Sequence, residues 1–203
     1  MGAGDEEITP IRIETDRLTL RDVVAEDVDG FHDYMADPAY VRHLPLDPMD
    51  RAEVQALVDR VLLRQAMPPR DRFFLAAIER SSGRLIGEGI FKILDAANGQ
   101  GEIGWAVAGP DQGRGIATEI GRALIRFGFV DLRLHRLIAR CEIGNDASER
   151  VMARLGMTRE GVLRDHLFAC GRWWNSAQWS ILAGEIPQDR GGRVEPGHHD
   201  LEV

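Results

Sequence analysis

Lysine is nearly absent: Lys92 is the single one in 203 residues, although 29% of the chain is charged. That scarcity excludes a phosphate loop of the G-x-x-x-x-G-K-[ST] type, whose lysine follows the second glycine. Excess positive charge is missing too. A formal charge of -8 and a pI near 5.3 deprive the chain of the basic field that releases counterions from phosphate backbones, so nucleic acid is not an expected partner. Cysteine occurs twice, as Cys141 and Cys170, without the C-x-x-C spacing of a redox or zinc motif, and reduced thiols are expected. No apolar run approaches the ~18 residues of a membrane span, and the acidic residues 1–7 lack the basic end and apolar stretch of a signal peptide. A cytoplasmic protein with no membrane partner is the expectation. The nucleophile elbow G-x-S-x-G and the zinc helix H-E-x-x-H are both missing, and His135 and His166 have no companion at ligand spacing, so no metal is expected.

What is present is enough apolar material, 44% of residues, for one substantial core. Residues 1–10 and 187–203 are polar and rich in glycine and proline, and read as tails, with His198 and His199 solvated. The single domain then covers 11–186. Its first strand is 17–23, where Leu18, Leu20 and Asp22 share a face. Helices follow at 27–36 and 50–65, separated by Pro38, Pro45 and Pro48. Strands at 73–79 and 85–93 form a hairpin over the Ser81-Ser82-Gly83 turn, and 102–108 is the next strand after Asn98-Gly99. Then come helix 113–130, strand 136–142, helix 146–155 capped by Asn145 or Asp146 and ended by Gly156, and strands 157–163 and 173–182. This order predicts a mixed sheet with helices on both faces.

The chemistry-bearing segment is Gln112-Gly113-Arg114-Gly115-Ile116-Ala117, between a strand and a helix. Two glycines let backbone approach a ligand closely, and the helix start offers unpaired N–H groups at its positive dipole end. The pattern fits a pyrophosphate cradle; the plainer reading is a strand-to-helix turn. A dinucleotide-binding loop fits worse, because that loop opens a βαβ unit and this one follows three antiparallel-looking strands.

Gln112-x-x-Gly115-x-Ala117 resembles the [QR]-x-x-G-x-[GA] acyl-coenzyme A signature of the GNAT superfamily. The likeness extends over 11–186 to the branch of the RimJ and RimL ribosomal-protein N-terminal acetyltransferases. Thr15-Asp16-Arg17-Leu18-x-Leu20-Arg21 resembles the opening strand of that branch and Gly101-Glu102-Ile103-Gly104-Trp105 its fourth. Asn145-x-x-Ser148-x-x-Val151-Met152-x-x-Leu155-Gly156-Met157 resembles its helix and following strand, and Glu160-Gly161-x-Leu163-Arg164 its sixth strand.

The resemblance implies an α+β fold with a mixed, mostly antiparallel sheet of six to seven strands and about four helices on both faces. It implies acetyl-coenzyme A, or another acyl-coenzyme A, as cosubstrate and an amine as acceptor, either a protein N-terminus or a small molecule. A homodimer is compatible with it. The pyrophosphate falls to Gln112, Gly113, Arg114, Gly115, Ile116 and Ala117, with Arg114 adding charge. The pantetheine arm lies along Trp105, Ala106 and Val107, near Asn145 and Ser148. The acceptor enters between 37–46 and 165–173, which hold Asp37, Tyr40, Arg42, His43, Asp165, His166 and Arg172.

An aliphatic amine is mostly protonated at neutral pH, so the reaction needs a proton acceptor. Glu102 is the first candidate, directly or through water, and Glu88 the second; the plainer role for Glu102 is a hydrogen bond to a neighbouring strand. Tyr34 and Tyr40 fall in the N-terminal helical stretch, so the tyrosine that many GNAT enzymes place beside the departing thiolate has no counterpart. In this branch Ser148 takes its place, unless its hydroxyl only caps a helix. A non-catalytic acyl-coenzyme A binding module is the alternative that the sequence leaves open.

Overall fold

The computed structural model describes residues 10–186. The tails at 1–9 and 187–203, His198 and His199 among them, lie outside the described residues. The elements run β1 Arg12–Glu14, β2 Leu18–Asp22, α1 Val28–Met35, α2 Pro38–Val41, α3 Arg51–Gln65, β3 Arg72–Glu79, β4 Leu85–Asp95 and β5 Gln100–Val107. Then follow α4 Ile116–Arg126, β6 Arg136–Glu142, α5 Asp146–Arg154, β7 Thr158–Ala169 and β8 Arg172–Leu182. Eight strands form one sheet in the order β1-β2-β3-β4-β5-β6-β8-β7. Every neighbouring pair is antiparallel except β5 and β6.

The sheet holds one strand more than expected because β1 pairs with β2 over only three residues, too few for an alternation to be visible in sequence. The extra helix is α2, a four-residue turn started by Pro38 and capped by Asp37 Oδ1, which accepts from Ala39 N at 2.8 Å. Pro38, expected to break the chain, starts this helix instead: at a helix start proline is favoured, since its missing N–H would have no partner there. α3 opens on a capping box in which Asp50 accepts from Glu53 N and Glu53 accepts from Asp50 N, both at 2.8 Å.

Alternation along the strands divides the core between the two faces. Leu18, Leu20, Leu75, Phe91 and Ile103 meet Ile116, Ile120 and Leu124 of α4 on one face. Phe31, Tyr34 and Met35 of α1 and Val54 and Val58 of α3 cover Ala76 on the other. Each such large side chain contributes roughly 1.5–3 kcal/mol by leaving water. Asp22, expected beside Leu18 and Leu20, is part-buried at the end of β2, where its carboxylate binds Arg70 and accepts from Ile11 N at 3.0 Å. Among the described residues no helix is long and apolar enough to cross a membrane.

β5 is held tightly on one side only. Its residues pair with β4 from Gln100 to Val107, but its parallel pairing with β6 stops after Gln100↔Arg136, Gly101↔Leu137 and Glu102↔Ile138. From Ala139 onward β6 pairs with β8 alone, so the two central strands part like a wedge. Gly87 of β4 sits behind this wedge: a Cβ there would collide with the carbonyl oxygen of Ala106. Gly87→Ala is therefore expected to destabilise the fold by roughly 1–3 kcal/mol, the usual cost of forcing extra volume into a packed interior. Urea unfolding should show a lower midpoint with an unchanged slope.

Candidate active site

The wedge opens into a cleft of about 630 Å³. One wall is Trp105, Ala106 and Val107 of β5; the next is Gln112, Gly113, Gly115, Ile116 and Ala117; the third is Asn145, Ser148 and Val151 of α5. The remaining wall comes from the segment after α1, including Asp37, Tyr40, Arg42 and His43.

The loop before α4 is shaped by two left-handed glycines, Gly113 at φ 74° and Gly115 at φ 79°. At Gly113 a Cβ would meet nothing within 4 Å, so backbone conformation rather than crowding calls for glycine there. Gly115 caps α4 without any side-chain acceptor. Glu119 N is the first amide bonded back into the turn, to Gly115 O at 3.1 Å. The N–H groups of residues 113–118 have no acceptor among the described residues. Six amides and the positive end of an 11-residue helix form a site for a polyanion. The Gln112 amide is used structurally, donating to Val107 O at 3.1 Å and tying the loop to β5.

Two sequence candidates stand elsewhere. The Arg114 side chain turns off the cleft onto Asp111 and Glu79 Oε1, the latter at 2.7 Å, and these partners raise its pKa above the usual guanidinium value. Only its backbone amide joins the cradle. Glu102 is not among the cleft-lining residues; its carboxylate lies 3.5 Å from both Lys92 Nζ and Arg140 Nη1. In place of the Arg114 guanidinium the cleft has Arg150 and Arg154 on α5, neither with an ion-pair partner among the described residues. Their i, i+4 spacing on a helix beside the cradle was the available signal.

Asn145 caps α5, its Oδ1 accepting from Ser148 N at 3.1 Å. The Ser148 hydroxyl has no hydrogen bond within the described residues.

The tyrosines stand in the N-terminal helices as expected, Tyr34 on α1 and Tyr40 on α2, and both bond one carboxylate; of the two, Tyr40 lines the cleft. Glu88 of β4 faces the α1 side and is buried; Tyr34 Oη donates to its Oε2 and Tyr40 Oη to its Oε1, the latter at 2.5 Å. Burial pushes the Glu88 carboxyl pKa up, against the two phenol donors that favour its charge. Burial, followed by the Glu88 charge, raises both phenols, keeping them protonated. Further along the same wall, His43 Nδ1 lies 2.8 Å from Glu142 Oε2 at the end of β6, and Arg172 Nη2 donates to Glu142 Oε1 at 2.6 Å. Asp165 and His166 of the expected acceptor segment do not line the cleft.

A family model for the acetyltransferase (GNAT) domain matches residues 17–158. A Bacillus licheniformis protein named uncharacterized N-acetyltransferase p20 is 33% identical over 176 residues, 84% of this chain and 96% of its own. The Escherichia coli [ribosomal protein uS5]-alanine N-acetyltransferase is 26% identical, over 82% of this chain and 88% of its own. The crystal structure of a GNAT-family acetyltransferase from Bacillus anthracis superposes with a TM-score of 0.76 at 26% identity, covering 86% of this chain and all of that one.

The buried carboxyl makes a pH-dependent prediction. Glu88 ionises at higher pH in the folded state than when unfolded, so its contribution to stability is full at low pH and declines as pH rises through the folded pKa. Tyr34→Phe removes a donor to the charged form and raises that pKa further. The variant should lose more stability at pH 8 than at pH 5, with a loss at pH 8 of about 1–3 kcal/mol. Urea titrations at the two pH values measure the difference, and Glu88→Gln should abolish it.

Proposed function

The chain belongs to the GNAT acetyltransferase family, and from that premise we propose that it moves an acetyl or other short acyl group from acyl-coenzyme A to a primary amine, by direct attack in a ternary complex. The observation that carries this reading is the row of unsatisfied amides at 113–118, standing at the end of a cleft walled by the unpaired edge of β5. A diphosphate meets those amides, each favourable helix-end interaction contributing about 0.3–2 kcal/mol. Arg150 and Arg154 add the positive charge that Arg114 has given to Asp111 and Glu79.

From there the pantetheine arm runs as an added strand along Trp105, Ala106 and Val107, meeting backbone groups that β6 has left unpaired. One of those N–H groups polarises the thioester carbonyl and takes up the oxyanion of the tetrahedral intermediate. Nitrogen attacks the carbonyl carbon, the C–S bond breaks, and Ser148 faces the departing sulfur. A thiolate needs little assistance, its conjugate acid having a pKa near ~8.5, so a hydroxyl that orients it suffices. Glu102 stands off the cleft beside two cations, which leaves direct contact with the amine to another group.

The acceptor reaches the thioester past Asp37, Tyr40, Arg42 and His43. The name of the uS5-alanine relative supports an amine carried by a protein; a small-molecule amine is the other arm of the test. A panel of an alanyl peptide, a polyamine and an aminoglycoside, scored by thiol release from acetyl-coenzyme A, tests the reading and separates the arms.

Binding of the donor is open to a direct check. Arg150→Ala and Arg154→Ala should each weaken acetyl-coenzyme A binding about tenfold, the order of one charge-assisted hydrogen bond, with the melting temperature of the free protein unchanged. Coenzyme A should raise that melting temperature, by about 2.7 kcal/mol of stabilisation at a hundredfold excess over Kd, whereas NAD and ATP should not. Calorimetry and thermal unfolding supply both readouts.

A further inference from the structure

Resting on the transferase reading above, we propose that His43 is the catalytic proton acceptor for the amine, with Glu142 as its positioning residue. His43 lies between α2 and α3, outside the regular elements, yet it lines the same cleft as Trp105, Ala106 and Ser148. It is held there by a residue far away in sequence. Glu142, 99 residues later at the end of β6, meets its Nδ1 at 2.8 Å.

Two groups hold that carboxylate, His43 and Arg172. Arg172 of β8 donates to its Oε1 at 2.6 Å, and the guanidinium is itself stacked 3.5 Å from the Trp174 ring centroid. Burial pushes the Glu142 carboxyl up, but hydrogen bonds from Arg172 and His43 outweigh it, and the net pKa lies below the ordinary glutamate value. An ionised Glu142 accepts from an Nδ1 that carries its proton, which leaves the lone pair of the neutral ring on Nε2. The other charged or titratable groups of this wall are Arg42, Asp37 and Tyr40. Tyr40 is committed as a donor to Glu88. Asp37 spends one carboxylate oxygen on capping α2, and Arg42 cannot accept a proton.

The step balances without any further reagent. As the amine nitrogen bonds to the thioester carbon, Nε2 takes its proton and the imidazolium is paired with Glu142. The intermediate collapses by breaking the C–S bond, the electron pair leaves on sulfur, and the imidazolium proton passes to the thiolate or to water. The ring is again neutral.

The test begins with the wild type and whichever panel amine it acetylates. His43→Gln keeps an amide donor for Glu142 but cannot take up a proton. The expected result is a fall in kcat/KM of roughly 10²- to 10⁴-fold at neutral pH, an unchanged Kd for acetyl-coenzyme A by calorimetry, and loss of the imidazole limb of the pH profile. Glu142→Gln should retain that limb but shift it to lower pH, since the imidazolium loses its anion. His43→Ala should recover activity with added imidazole. A purely bridging His43 predicts near-normal turnover in His43→Gln and no rescue of His43→Ala, and either result overturns the proposal while leaving the transferase reading intact. No thiol release by the wild type with any amine, despite coenzyme A binding, overturns both.

Discussion

Backbone N–H and C=O groups buried in a sheet must find partners, and at the centre of this one the partners run out. β5 and β6 share three residues of parallel pairing and then part. Each remains anchored by its outer neighbour, β5 by β4 as far as Val107 and β6 by β8 as far as Glu142. The opening is therefore stiff. Its unpaired edges are held by strands that stay in register, which lets a ligand be ordered by a surface that need not itself become ordered. The cradle at residues 113–118 lies at the exit of β5, and α5 begins where β6 ends, so both contributions to the cleft are fixed by the same divergence.

Three carboxylates near that opening are satisfied in three different ways. Glu88 is buried, which opposes its charge, and is bonded by two phenols, which favour it. Glu102 sits between a lysine and an arginine at the start of β5, off the cleft. Glu142 is fixed by an arginine and shared with an imidazole that faces the cleft. Residue type alone does not separate these roles. What separates them is how far each sits along its strand from the point of divergence, and which face of the sheet it occupies.

Much of the fold was legible because it is written in local pattern. The strand-helix-strand around Gly113 and Gly115 follows from glycines at a helix start, and the face-to-face division of Leu75 from Ala76 follows from strict alternation. The same locality accounts for what was missed. Tyr40 and Glu88 are 48 residues apart, and His43 and Glu142 are 99 apart; no periodicity reaches across such distances. Arg114 looked like a phosphate ligand because it interrupts the glycines. Its orientation depends on Glu79, 35 residues earlier on β3, which no motif includes. β1 and α2 were invisible for another reason, their shortness, since three or four residues complete neither kind of period.

The ion pair between Lys92 and Glu102 has a consequence for the protein as an object of its own chemistry. Lys92 is the chain's single lysine, and its ammonium is held 3.5 Å from a carboxylate on the neighbouring strand. On the proposed reading, a catalyst that acylates amines with a thioester at high local concentration offers its own surface as a competing substrate. Here every other exposed cation on the described surface is a guanidinium or an imidazole, neither of which forms a stable amide under such conditions. The arginine-dominated surface thus keeps the positive charges that the fold needs for its ion pairs while presenting almost nothing for adventitious acylation to consume.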